Sequence, residues 1–77
     1  MKRKIISFKM TNKNINHLIH ISEQVSGSVT LLRGARAVDG CSPIGVMTID
    51  VEQPFTIEYP EDGKFEQELK QFAVFYD

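Results

Sequence analysis

The spacing of apolar residues switches between two repeats along the chain, and this switch most restricts the folds open to it. From Ile15 to Val25 the apolar or small side chains recur every three or four residues, which predicts an amphipathic helix. Phe55 to Tyr59 alternates apolar and polar residues, which predicts a half-buried strand. A second helical spacing begins at Phe65 and runs to Tyr76. Helix stripes and sheet faces must bury each other, so the sequence predicts an α+β protein. The two stripes are Ile15, Leu18, Ile19, Ser22 and Val25, and Phe65, Leu69, Phe72, Ala73 and Tyr76.

Three further segments complete the predicted order of elements. Lys4 to Phe8 alternates weakly and is typical of a strand. Val29–Leu32 and Ala37–Val38 flank the sequence Arg33-Gly34-Ala35-Arg36, which predicts a β-hairpin with a tight turn. The resulting order is βαββαβα. The simplest arrangement is a four-stranded, mostly antiparallel sheet with three helices on one face.

The stretch DGCSPIGVM, residues 39–47, carries a helix start. Ser42 is a favoured N-cap, because its hydroxyl accepts a hydrogen bond from a free N–H of the first turn. Pro43 suits the next position, where its missing N–H is not needed. The sequence therefore predicts a short helix over roughly Ile44 to Ile49, with Gly40 allowing a sharp turn before it.

Length and composition exclude several classes of protein. The 77 residues form one domain, 1–77, with a thin core. A net charge of −1 argues against a nucleic-acid partner, which would require an excess of basic residues. The one basic cluster, Lys2-Arg3-Lys4, is short. One cysteine excludes an internal disulfide framework, which fits a reducing compartment. No apolar run has the length of a membrane span, and the N-terminus lacks the apolar region of a signal peptide. We expect a monomeric cytoplasmic protein without a membrane partner.

The middle of the chain resembles the histidine-containing phosphocarrier family, HPr, of the bacterial sugar phosphotransferase system. The resemblance runs without a gap from about Val25 to Ile49. It depends on a β-hairpin followed by VDGCSPIGVM, which is similar to the family's Ser-(Ile/Leu)-Met-Gly-(Val/Leu)-(Met/Leu) block. The resemblance implies an open-faced β-sandwich, and a phosphocarrier-type or regulatory protein without autonomous catalysis.

The sequence departs from the family at the phosphoacceptor histidine. The family carries this residue in Gly-(Leu/Ile)-His-Ala-Arg-Pro at the start of the first helix, where helix N–H groups stabilise the phosphoryl anion. Counting back from Val25 places Thr11 at the histidine, Asn12 at the alanine and Lys13 at the arginine. A threonine phosphoester does not transfer onward readily, so the resemblance implies a regulatory or degenerate member.

The histidines and the cysteine give weaker signals. His17 and His20 are predicted on the exposed face of the first helix, and two histidines without a third ligand do not predict a metal site. We expect no cofactor. Cys41 lies near a helix N-terminus, where a thiol pKa can fall. However, no general base is visibly placed beside it, so we interpret it as a small, packed or half-exposed residue.

The resemblance assigns a regulatory role to Ser42. In one branch of the family a dedicated kinase phosphorylates the matching serine, and the product acts as a corepressor. Ile44, Gly45 and Met47 resemble the apolar patch on which partners dock. The implied partners are phosphotransferase-system proteins, a serine kinase or a transcription regulator. Pro43 departs from the family's Ile or Leu, which bears on recognition by such a kinase.

Two alternatives remain open from the sequence. In the first, the protein is a working phosphocarrier in which His17 is the acceptor; this requires His17 to begin its helix rather than lie inside it. In the second, the chain is a binding module that has the fold but works outside the phosphotransferase pathway. Fold alone does not decide between them.

Overall fold

The chain alternates short strands with three helices, as the change of apolar spacing predicts. The computed structural model describes residues 1–76; Asp77, the last position of the predicted domain 1–77, lies outside the described residues. The elements in chain order are β1 (Lys2–Ser7), α1 (Asn12–Gln24), β2 (Thr30–Arg33), β3 (Arg36–Asp39), α2 (Pro43–Thr48), β4 (Phe55–Tyr59), α3 (Gly63–Lys70) and β5 (Val74–Phe75).

The strands form one open antiparallel sheet in the order β3-β2-β4-β1-β5. The central strand β4 buries every second residue: Phe55, Ile57 and Tyr59 are buried and the two residues between them are only partly buried. Cross-strand pairing places Ile6 opposite Phe55, and Leu31 opposite Ile57. Side chains of paired residues lie on the same face of a sheet, so these five residues define the core face.

The three helices contribute their buried side chains to a single hydrophobic core together with this face. α1 buries Ile15, Leu18, Ile21 and Ser22, whereas Ile19 and Val25 of the predicted stripe are only partly buried. α2 buries Val46, and α3 buries Phe65 and Leu69. Within residues 1–76, no helix combines the length and the apolar character needed to cross a membrane.

The prediction of four strands is wrong, because a fifth strand follows α3. The predicted last helix ends at Lys70 instead of reaching Tyr76, with Gln71 as its C-cap. Val74 and Phe75 then pair with β1, and the Tyr76 N–H donates to the Ile5 carbonyl at 2.9 Å. β-branched and aromatic residues suit a strand, and the outer edge of β1 supplies partners for the backbone groups. The apolar spacing from Phe65 to Tyr76 fits a helix only as far as Leu69.

The predicted hairpin is confirmed, with Arg33 paired to Arg36 across a two-residue turn. Gly34 occupies the first turn position with φ of +57°, a conformation that glycine adopts without steric cost. The hairpin carries β3, the edge strand against which α2 packs. It therefore sets the position of the predicted site on α2.

Candidate functional site

The Ser42 hydroxyl caps α2, as the sequence predicts. Its Oγ accepts a hydrogen bond from the Gly45 N–H at 3.1 Å, and Pro43 occupies the first turn. The Ser42 backbone is extended, with φ of −100° and ψ of 110°. The helix begins at Pro43 and ends at Thr48, one residue at each end from the predicted range.

Gly45 lets α2 lie close to the hairpin. A Cβ atom built on Gly45 would stand 3.2 Å from the Val38 Cβ and 3.3 Å from the Ser42 Oγ, tighter than ordinary side-chain contacts. A larger residue here would push α2 away from β3 or disturb the cap. Gly45 is thus a packing residue beneath the surface that the sequence predicts as a docking patch.

The outward face of α2 is apolar. Ile44 is 78% exposed and Met47 is 56% exposed, whereas Val46 between them is fully buried. Large apolar side chains this exposed on a six-residue helix leave apolar area uncovered, which is typical of interaction surfaces when the side chains are contiguous. We call Ser42, Ile44 and Met47 the α2 surface.

Arg36 and Thr48 extend the polar side of this region, and no sequence pattern indicates a role for either residue at the site. The Arg36 guanidinium donates to the Thr48 Oγ1 at 2.7 Å, and the same hydroxyl donates to the Gly45 carbonyl at 2.7 Å. These bonds tie the end of α2 to β3. The sequence does show an arginine, Arg36, at the hairpin turn. Its position in the sequence does not indicate that Thr48 is its partner.

Thr11 caps α1, at the helix start where the resemblance places the histidine-site equivalent. Its Oγ1 accepts from the Asn14 N–H at 3.1 Å, and the Asn14 side chain donates to the Lys9 carbonyl at 2.8 Å. Asn12 and Lys13 are exposed in the first turn. The structure therefore places the three predicted histidine-site equivalents at a helix start, with the Thr11 hydroxyl already bonded within its own turn.

His17 lies inside α1, in its second turn, and is only 26% exposed. Its Nε2 lies 2.8 Å from the Glu68 Oε1 of α3. The centroids of the His17 and Phe72 rings are 4.8 Å apart. The prediction of an exposed helix position is therefore wrong for His17, because α3 covers that side of α1. Sequence reasoning missed Glu68, since it lies 51 positions away and the pair forms only when the helices pack.

His20 is exposed, and its Nε2 lies 3.0 Å from the Gln24 Nε2 one turn further along α1. Among residues 1–76, no group of three or more histidine, cysteine and acidic side chains is arranged to hold a metal ion. His17 and His20 therefore contact different neighbours, Glu68 and Gln24 respectively.

The Cys41 thiol is half-buried, and partial burial raises its pKa above the ordinary value, with the Asp39 carboxylate adding to the effect. The Cys41 N–H donates to the Asp39 Oδ1 at 2.8 Å, which brings this carboxylate close. The thiol pKa therefore does not fall at the start of α2. A raised pKa disfavours the thiolate, which supports the interpretation of Cys41 as a packing residue.

Comparison with known proteins identifies no family model, no curated protein and no solved structure that matches this chain. Residues 1–76 define an α+β fold in which an exposed apolar helix face lies beside a capping serine.

Proposed function

We propose that this protein is an HPr-like member of the phosphoenolpyruvate-dependent sugar phosphotransferase system, with a regulatory or degenerate role and no autonomous catalysis. The observation that carries the proposal is the α2 surface, where Ile44 and Met47 are exposed beside the hydroxyl of Ser42. In this proposal the protein acts in the cytoplasm by docking on phosphotransferase-system proteins, a serine kinase or a transcription regulator.

The position of Ser42 suits regulation by phosphorylation. A phosphoserine adds about −1.5 to −2 charge and favours the start of a helix, where backbone N–H groups and the helix dipole attract anions. The modification would add this charge next to the apolar side chains of Ile44 and Met47. A partner is then able to distinguish the two states at the surface without a change of fold.

The histidine chemistry of the family does not carry over. Thr11 has a hydroxyl where the resemblance places the acceptor nitrogen, and that hydroxyl is the cap of α1. The alternative acceptor His17 does not begin its helix, and its Nε2 faces the Glu68 carboxylate. Both observations favour the regulatory proposal over a working phosphocarrier.

The test is intact-mass spectrometry after two separate incubations. One uses the phosphotransferase-system donor enzyme with phosphoenolpyruvate, and the other uses the HPr serine kinase with ATP. We expect no phosphate from the first and one acid-stable phosphate from the second. Ser42→Ala should abolish that phosphate, whereas the control Ser26→Ala, at an exposed serine after α1, should keep it.

Two results would overturn the proposal in different ways. An acid-labile phosphate from the first incubation would identify a working phosphocarrier, and His17→Ala would show whether His17 carries it. No phosphate from either incubation would favour a binding module that works outside the pathway.

A further inference from the structure

The turn after α2, residues Asp50–Gln53, is held from the hairpin side by Arg33. One terminal nitrogen of the Arg33 guanidinium donates to the carbonyl oxygens of both Asp50 and Gln53, the second at 2.7 Å. Arg33 Nε is buried and has no hydrogen-bond partner within the described residues. The rest of the Arg33 guanidinium is partly exposed, and its two bonds to the turn carbonyls hold the hairpin against the turn.

The same turn is held from the other side by the segment that leads into α1. The Phe8 N–H donates to the Val51 carbonyl at 2.8 Å, and the Met10 N–H donates to the Glu52 Oε2 at 2.9 Å. Val51 is fully buried, which anchors the middle of the turn in the core. Met10 directly precedes Thr11, the cap of α1.

We infer that the turn Asp50–Gln53 is a rigid brace, and that Arg33 and Glu52 are positioning residues that fix the start of α1 relative to α2. The brace begins two residues after the last residue of α2, with the buried Ile49 between them. The brace therefore connects Thr11–Lys13 to the α2 surface. The connection consists of the hydrogen bonds that the turn makes with Phe8, Met10 and Arg33, which are distant from it in sequence.

The functional consequence rests on the proposed function. A partner that contacts both Thr11–Lys13 and the α2 surface binds best when the two segments are already correctly placed. Loosening the brace adds an ordering cost to binding. Arg33 and Glu52 then influence affinity even where the partner does not touch them.

Amide hydrogen exchange measured by NMR tests the brace directly. We expect Arg33→Gln to speed exchange at the Phe8 and Met10 amides, although neither residue bonds to Arg33. The matched control is Arg36→Gln on the same hairpin, whose guanidinium bonds to Thr48 instead of the turn. This control should leave both amides at the wild-type rate. Unchanged rates in Arg33→Gln, or equal acceleration in both variants, would overturn the brace.

A measurement from the other side covers the case in which Arg33→Gln does not fold. Glu52→Gln replaces the carboxylate that accepts from the Met10 N–H with a neutral amide. It leaves Arg33 in place. The brace predicts that this change shifts the side-chain Nε–H resonance of Arg33. An Arg33 resonance identical to that of the wild type would contradict the brace.

Kinetics with the HPr serine kinase then test the two-part surface. We expect Arg33→Gln to raise KM for the protein by roughly 3- to 10-fold, the effect of one weakened hydrogen bond, with kcat retained. The control Arg3→Gln, on β1, should keep the wild-type KM. Altered exchange with an unchanged KM would overturn the two-part surface. A wild-type protein that is not phosphorylated would overturn the proposed function, and the exchange rates alone would then decide the brace.

Discussion

The Ser42 hydroxyl satisfies a backbone N–H at the start of a helix only six residues long. Ser42→Ala removes this acceptor, so we expect the free energy of unfolding to fall by about 1 kcal/mol while the fold is kept. Urea denaturation followed by circular dichroism measures the change. Ser42→Asp retains an acceptor at the cap and should recover most of the loss. An alanine variant as stable as the wild type would show that the cap contributes little.

The raised pKa of the Cys41 thiol gives a second prediction at this scale. Partial burial and the nearby Asp39 carboxylate both disfavour the thiolate, the reactive form. We expect Cys41 in the folded protein to react with a disulfide reagent at pH 8 more slowly than in the urea-unfolded chain. Asp39→Asn should speed the folded-state reaction, because it removes a negative charge. A folded thiol that reacts faster than the unfolded one would contradict this.

Individual residues differ in how far the sequence predicts their role. The cap at Ser42 depends on four consecutive residues and could be predicted correctly. The contact of His17 with Glu68 joins two helices across 51 positions and has no local signal. The predicted apolar stripe of the first helix also leaves out Ile21, which is only 3% exposed. The predicted stripe contains Ile19 and Val25 instead. Burial at the margins of a stripe depends on which neighbour covers it.

Among the elements, β5 shows the limit of local patterns most clearly. The spacing of Phe65, Leu69, Phe72 and Tyr76 fits a helix, yet the chain leaves α3 after Lys70 and pairs with β1. Whether a short segment forms a strand depends on an available sheet edge, and that edge lies almost 70 positions earlier in the chain. Hence the helix could be predicted and its end could not.

The hydrogen bond between the Tyr76 and Ser7 hydroxyls helps to hold β5 against β1. The two hydroxyl oxygens lie 2.6 Å apart, and β5 pairs with β1 through only two residues. Tyr76→Phe removes the bond, so we expect a loss of about 1 kcal/mol or less and faster exchange of the Tyr76-position amide. The amides that join β1 to β4 should remain protected. Equal acceleration in β4 would mean that β5 is not an independent unit of stability.

The two faces of α2 predict opposite effects of substitution. Ile44→Ser and Met47→Ser change exposed side chains, so we expect stability within about 0.5 kcal/mol of the wild type but weaker binding of the HPr serine kinase. Val46→Ala opens a cavity in the core and should cost about 2 kcal/mol. Calorimetry measures binding, and urea denaturation measures stability. Full binding by both serine variants would remove the α2 surface from the proposed function.

For the whole molecule, the apolar spacings, the hairpin turn and the Ser42-Pro43 cap together were sufficient to predict the α+β class and the order of elements through α3. Alternation along β4 identified its buried residues correctly. The strand pairs with β2 and β1 at its two edges, so only one of its faces packs against the core. The contacts that connect distant elements were not predictable: Arg33 with the turn Asp50–Gln53, and Glu66 with Tyr59 and Lys2. Their partners are defined only by the folded arrangement.

Glu66 connects α3 to the sheet through hydrogen bonds whose strength depends on its protonation state. Its carboxylate accepts from the buried Tyr59 hydroxyl and from the Lys2 ammonium, at 3.2 Å for Lys2. The Tyr59 hydrogen bond, with a smaller effect from Lys2, lowers the pKa of Glu66 below its ordinary value. A lowered folded-state pKa contributes stability that is present above the unfolded-state pKa and is lost as pH falls through the folded-state pKa.

We therefore expect the wild type to exceed Glu66→Gln in free energy of unfolding at pH 7, and the difference to shrink as pH is lowered below the ordinary glutamate value of about 4.3. Urea denaturation at a series of pH values measures both proteins. Tyr59→Phe removes the main cause of the shift, so its stability should depend less on acid pH than that of the wild type. Wild-type and Glu66→Gln curves that stay parallel from pH 7 down to acid would show that Glu66 does not couple folding to protonation, and that α3 is held to the sheet by its apolar contacts alone.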